Sequence, residues 1–152
     1  MPEYPKDLIK DLIEGGLSSE RVFEIQKAEK DKDRLEKVLE IEQERVPWKE
    51  KILVPLQEHL YVVEKEGKKI VKCSCGYEFG DYRENWKLNA GVYVRDTEEK
   101  LDEIYRGPRK CDPEWQIIRE FYCPGCGAQL EVEAVPPGYP IIFDFLPDLG
   151  EE

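Results

Sequence analysis

Four of the five cysteines fall in two tight pairs, Cys73-Ser74-Cys75-Gly76 and Cys123-Pro124-Gly125-Cys126-Gly127. Each pair can offer two thiolates from a single turn, and two such turns brought together make a tetrahedral sulfur cage suited to zinc. The flanking glycines agree, because a metal-binding knuckle points backbone amides at its sulfurs and needs a residue at positive φ. Pro124 pre-sets the backbone at the start of the second turn. With all four ligands drawn from protein, no coordination position stays open for water or substrate, so the expected metal is structural.

The spacing constrains the fold further. Residues 76–122, 47 in all, lie between the two pairs. That is much longer than in a minimal zinc ribbon, so a folded insertion must separate the halves. Three other readings of the thiols stay open. Disulfides need an oxidising compartment, and nothing here suggests export. A redox C-x-x-C needs a thioredoxin-like βαβ setting that the flanking strands do not supply. Simple buried thiols would have to reach these spacings by chance. Cys111 has no paired neighbour and reads as a spare thiol.

Charge narrows the partners. The chain carries 34 acidic against 23 basic residues in 152, a net charge of −11. Phosphate binding draws on clustered Lys and Arg, and the two basic stretches, Lys65–Lys72 and Arg106–Lys110, are short, so nucleic acid is not an expected partner. No apolar run reaches membrane-span length, and Met1-Pro2-Glu3-Tyr4-Pro5-Lys6 lacks a signal-peptide layout. A cytoplasmic protein with no membrane association is expected. Residues 127–152 hold six carboxylates and no Lys or Arg.

The predicted class is α+β: a zinc-ribbon-like antiparallel β domain over 47–135, a helical N-terminal segment over 1–46 and an extended C-terminal arm over 136–152. Leu8, Ile9, Leu12 and Ile13 mark a first helix stopped by Gly15-Gly16. Ser18 or Ser19 caps a second carrying Val22, Phe23 and Ile25. A third runs from about Asp31 to Arg45 with Leu35, Val38, Leu39 and Ile41 apolar, ended by Pro47. Helices this short need a surface, either their own β domain or another subunit. Leu60–Val63 and Ile70–Val71 read as strands around the turn Glu66-Gly67-Lys68, leading into the first knuckle. Val92–Val94 is a further strand, and Asp96 with Glu99 resembles a capping box for a helix from Thr97 to Tyr105. Trp115–Tyr122 enters the second knuckle as a strand, and Leu130–Val135 returns from it. The proline-broken stretch from Pro136 to Pro147 can form neither helix nor central strand. It is expected to lie in a partner's groove, the alternative being a fold back over its own core.

No self-sufficient active site is visible. The single histidine, His59, has no Cys-His or Ser-His-Asp setting and reads as a surface or packing residue. Phosphate-binding glycine loops are absent. Acidic pairs such as Asp81 with Glu84 and Glu98 with Glu99 read as a solvated face.

Taken in order, several blocks resemble the small gamma subunit of the acetone/acetophenone carboxylase family. They are Pro47-Trp48, Lys51-Ile52 and Pro55-Leu56; Cys73-x-Cys75-Gly76 with Phe79, Asp81 and Asn85-Trp86-Lys87; and Val94-Arg95-Asp96-Thr97 with Glu103-Ile104-Tyr105. Trp115, Ile118-Arg119-Glu120, Cys123-Pro124-x-Cys126-Gly127, Val132-Glu133, Tyr139-Pro140, Asp144-Phe145 and Pro147-Asp148 continue the series. The resemblance implies an accessory zinc subunit with ligands at Cys73, Cys75, Cys123 and Cys126 and no catalytic residue. It further implies two large partner subunits, of alpha and beta type, that use ATP and a catalytic metal to carboxylate a ketone with bicarbonate. The family's small subunits tend to run further past the position of Asp148. Acetone, acetophenone and a hydantoin-like substrate therefore all stay open, as does a stand-alone zinc-ribbon interaction module.

Overall fold

In the computed structural model, residues 4–105 and 107–150 are described. Met1–Glu3, Arg106 of the basic stretch, and Glu151 and Glu152 of the acidic tail lie outside the described residues. The α+β, zinc-ribbon-like class holds: three N-terminal helices precede two antiparallel sheets that meet at the cysteines.

Helix α1 spans Lys6–Ile13, α2 Ser19–Lys27 and α3 Arg34–Arg45. The Ser18 side chain accepts from the Arg21 amide and so caps α2. Tyr4, Ile9, Ile25 and Ile41 form the small core these helices share. Leu35 and Phe23 are the exceptions to the expected apolar stripes, being 54% and 56% exposed; Lys27 covers the Phe23 ring with its ammonium 4.0 Å from the centroid. Asp31 ties the unit together, accepting from Lys37 Nζ at 2.9 Å and Arg34 Nε at 2.6 Å. Those cations, Lys37 first, hold its carboxyl well below the usual carboxylate range. A depressed folded-state value means that the contribution is full above the unfolded value near pH ~3.9 and is lost as pH falls below it. Asp31→Asn should therefore lower the melting temperature at pH 7, with the difference from the parent chain shrinking as the melts are repeated below pH ~4.

The first sheet has the order β1-β2-β3-β4, with β1 Lys51–Gln57, β2 Leu60–Lys65, β3 Lys68–Cys73 and β4 Glu78–Asp81. Neither β1 nor β4 is readable from the sequence pattern. Pro55 interrupts β1, which tolerates it as an edge strand with register shifts on either side. The short β4 contains Gly80. The β2–β3 hairpin turns on Glu66 and Gly67, with φ of 51° and 74°. Positive φ at both positions is a type I′ turn, which favours Asn-Gly over Glu-Gly. Glu66→Asn should raise stability by about 0.5–1 kcal/mol in a urea melt.

This sheet is covered on both faces. On one, Ile52, Tyr61 and Val63 pack beneath Val46, Leu39 and Trp48, so α3 lies on the chain's own β domain. Tyr61 Oη donates to Glu42 Oε2 of α3 at 2.6 Å, and the Gln43 side chain bridges the Glu50 carbonyl and the Ile52 amide. On the other face, Leu60, Val71, Cys73 and Phe79 join Trp86, Phe121, Cys123 and Leu130 in the main core.

The second sheet has the order β5-β6-β7, with β5 Gly91–Arg95, β6 Ile117–Tyr122 and β7 Gln129–Val135. Helix α4, Glu98–Asp102, follows β5. Its cap is Thr97, whose hydroxyl accepts from the Lys100 amide, while Asp96 pairs with Lys100 Nζ at 2.7 Å. The capping-box expectation at Asp96 is thus corrected by one residue, and the helix is shorter than expected. Trp115 lies before β6 and is 78% exposed. The buried Arg95 guanidinium donates to Glu120 Oε1 at 2.9 Å, joining β5 to β6.

The C-terminal stretch is extended, as expected. It has no regular secondary structure, and it follows the alternative course, folding back so that Ile141 and Phe143 pack against the chain's own core. The physical reason is a set of side-chain donors from the β domain that satisfy backbone carbonyls a proline-broken segment cannot pair in a ladder. Among the described residues no helix is long and apolar enough to cross a membrane.

Candidate metal centre

Cys73 closes β3 and Cys123 follows β6, so each knuckle hangs from a strand end of a different sheet. The two turns are built alike. In the first, the Cys73 amide donates to the Tyr77 carbonyl at 2.8 Å and the Gly76 amide to the Cys73 carbonyl at 2.8 Å. In the second, the Cys123 amide donates to the Ala128 carbonyl at 2.9 Å and the Gly127 amide to the Cys123 carbonyl at 2.8 Å. Gly76 and Gly127 carry the positive φ, 102° and 74°, that the turns require.

The four sulfurs converge, all within 4.8 Å of one another. Cys75 and Cys123 Sγ are 3.7 Å apart, and Cys73 and Cys126 Sγ 3.9 Å. A tetrahedral ion with metal–sulfur bonds of about 2.3 Å requires sulfur–sulfur edges of ~3.8 Å. These four residues can hold a metal ion, and among the described residues they are the one such group of His, Cys, Asp or Glu side chains.

Burial is unequal. Cys73 and Cys123 are buried in the main core, whereas Cys75 and Cys126 sit at the surface. Burial pushes the Cys73 thiol up to about 12, and burial raises Cys123 as well. Cys75 is burdened by desolvation too, yet donors beginning with the Tyr77 amide hold it below its ordinary value. The Gly125 amide donates to Cys123 Sγ at 3.4 Å. Four thiolates this close would repel one another strongly, and a bound cation is what would reconcile their burial with ionisation.

Gly125 is where the two knuckles touch. A Cβ there would lie 3.0 Å from Tyr77 Cβ and 3.3 Å from Cys75 Sγ. Gly125→Ala should weaken metal binding by roughly tenfold or more, measured by competition with a chromogenic chelator.

Trp48, part of the first resembling block, has a role that no sequence signal foretells. Its Nε1 donates to the carbonyls of Cys73 and Ser74 at 3.2 and 3.1 Å, anchoring the first knuckle from the segment that follows α3. Lys72 Nζ lies 5.0 Å from its ring centroid. His59 sits beside the knuckle without joining the sulfur cluster: its carbonyl accepts from the Ser74 amide, and Nδ1 is 3.2 Å from Ser74 Oγ. Cys111 is apart from the cluster, donating to the Gln116 carbonyl at 3.4 Å.

A family model described as acetone carboxylase gamma subunit matches residues 46–151, both knuckles and both sheets included. Over 148 residues, 43% are identical to the acetone carboxylase gamma subunit of Xanthobacter autotrophicus, covering 96% of this chain and 88% of that protein. This chain belongs to the acetone carboxylase gamma subunit family. A second relative, the acetophenone carboxylase beta subunit of Aromatoleum aromaticum, is 38% identical over 77 residues, 49% of this chain and 60% of that protein. Both relatives are subunits of carboxylases by name. The gamma subunit family model begins after α1–α3, whereas the Xanthobacter gamma subunit matches across nearly the whole chain, helices included.

Proposed function

We propose that this chain is the small, non-catalytic subunit of an ATP-dependent ketone carboxylase, of acetone carboxylase type, and that Cys73, Cys75, Cys123 and Cys126 hold one structural Zn²⁺. The observation that carries the zinc reading is the convergence of four sulfurs from two sheets, a donor set with no position left for substrate. Thiolates favour zinc among abundant divalent ions, and a closed site holds structure rather than performing chemistry. Family membership supports a place in a carboxylase complex. In this reading the chain works in the cytoplasm with two large subunits, of alpha and beta type, that carry ATP, the catalytic metal and the ketone chemistry.

The test is reconstitution. Co-expression with the two large subunits should yield a complex holding one zinc per small chain and fixing bicarbonate onto acetone at the expense of ATP. The isolated chain should turn over neither. A complex that assembles and carboxylates fully without this chain would overturn the role. Acetophenone in place of acetone in the same assay decides between the two relatives' substrates.

A further inference from the structure

The C-terminal arm is held by side-chain donors of the β domain, yet several of its large apolar side chains stay exposed. Arg119 gives Nη1 to the Tyr139 carbonyl at 2.7 Å and Nη2 to the Pro140 carbonyl at 3.1 Å. Asn85 Nδ2 donates to the Ile141 carbonyl at 3.2 Å, and Lys69 Nζ reaches the carbonyls of Leu149 and Gly150 at 3.4 and 3.3 Å. Its inward side chains enter the core, but Tyr139, Ile142, Phe145 and Leu146 stay 42%, 44%, 59% and 54% exposed. Large apolar groups left exposed on a segment whose backbone is already tied down are what an interface presents, because little further entropy is lost when a partner covers them.

At Phe145, between the arm and β1, opens a cleft of about 240 Å³. Leu56, Trp86, Phe143 and Phe145 give it apolar walls, and Glu131 and Asp144 contribute two carboxylates. Both carboxylates accept from Lys87 Nζ at 2.7 Å. That ammonium is spent: the Lys87 side chain is only 2% exposed, whereas Asp144 is 52% exposed. One cation against two anions leaves a surplus negative charge at the cleft, in a stretch from 127 to 152 with no Lys or Arg of its own. The side chain that fits has an apolar stem for the aromatic walls and a cationic, planar head for the carboxylates, which describes arginine.

We propose that this cleft receives an arginine side chain from a large carboxylase subunit, with the exposed Phe145 of the arm packing against apolar surface beside it. The inference rests on the reading of the chain as a carboxylase subunit and adds where and by what chemistry it docks. The arginine head pairs with Asp144, which the buried Lys87 cannot neutralise alone, and the stem lies against Phe145 and Trp86.

The experiment titrates purified large subunits with the full-length chain at several salt concentrations, alongside Asp144→Asn and Phe145→Asp. Asp144→Asn should weaken binding about tenfold and flatten its salt dependence, since a charge pair is lost. Phe145→Asp, at an exposed position, should weaken it about a hundredfold with zinc content and melting temperature unchanged. Parent-like binding by both variants overturns the docking site while leaving the carboxylase-subunit reading intact. A parent chain that binds no large subunit overturns both. Variants that abolish only self-association of the chain would assign the cleft and Phe145 to a second copy and overturn the proposed partner.

Discussion

Cys123→Ser should abolish stoichiometric zinc binding and leave the chain unfolded or aggregated at ordinary temperatures. Cys123 is buried, and its sulfur lies 3.7 Å from that of Cys75, so the substitution removes one of the four clustered sulfurs and leaves a hydroxyl in the main core. Structural zinc sites contribute on the order of 10 kcal/mol of apparent folding free energy at neutral pH. The net stability of a domain is about 5–15 kcal/mol, so a loss of that size is comparable to the whole. The two sheets do not hydrogen-bond to each other as one ladder. What joins them is the shared core and the sulfur cluster, where a bound metal would close the long loop between the knuckles. Elemental analysis and thermal melts of Cys123→Ser, of chelator-treated parent chain and of Cys111→Ser separate the possibilities. The first two should fail alike and the third should match the parent, because Cys111 lies outside the cluster. A Cys123→Ser chain that melts like the parent with full zinc would end the structural-zinc reading.

The parts legible in the sequence are those set by local chemistry. The knuckles were visible because ligand spacing and glycine at positive φ are backbone requirements of one turn. The three helices follow from apolar period and from Ser18 as a cap. β1 was hidden because Pro55 argues against a strand unless the strand is known to lie at an edge, and edge position is a tertiary fact. Lys87 was hidden for a related reason. A lysine between Trp86 and Leu88 reads as a surface residue until Glu131 and Asp144, 44 and 57 positions away, are seen to surround it. Although burial opposes its charge, those carboxylates, Asp144 foremost, hold its ammonium above the ordinary lysine value. The arm's composition gave its extended form and not its seat, which depends on donors from Lys69 of β3, Arg119 of β6 and Asn85 in the loop before Trp86.

Phe121→Ala should cost about 3–5 kcal/mol, the range for emptying a fully buried aromatic site. Phe121 has no exposed surface and stands where the two sheets, the 3-10 turn Trp86–Asn89 and the arm meet. Its ring lies edge-on to Trp86 with centroids 6.2 Å apart; Trp86 contacts Phe79 at 5.8 Å, and Phe79 contacts Tyr77 at 5.0 Å. Lys87 Nζ sits 5.5 Å from the Phe121 ring centroid, so the same truncation withdraws a face from the buried ammonium. At about 2–4 °C per kcal/mol for a chain of this size, the melting temperature should fall by about 6–20 °C. Phe121→Leu should recover most of that, since it refills the volume without the edge-on contacts. Zinc should be retained in both, because the knuckle's geometry is fixed by backbone bonds from Cys123 to Ala128 and from Gly127 to Cys123. Loss of zinc in Phe121→Ala at temperatures where the chain stays folded would mean that the aromatic series positions the sulfurs, and that the metal and the arm are one cooperative unit. A melting temperature within a degree of the parent would show instead that the two sheets are held together by the metal alone.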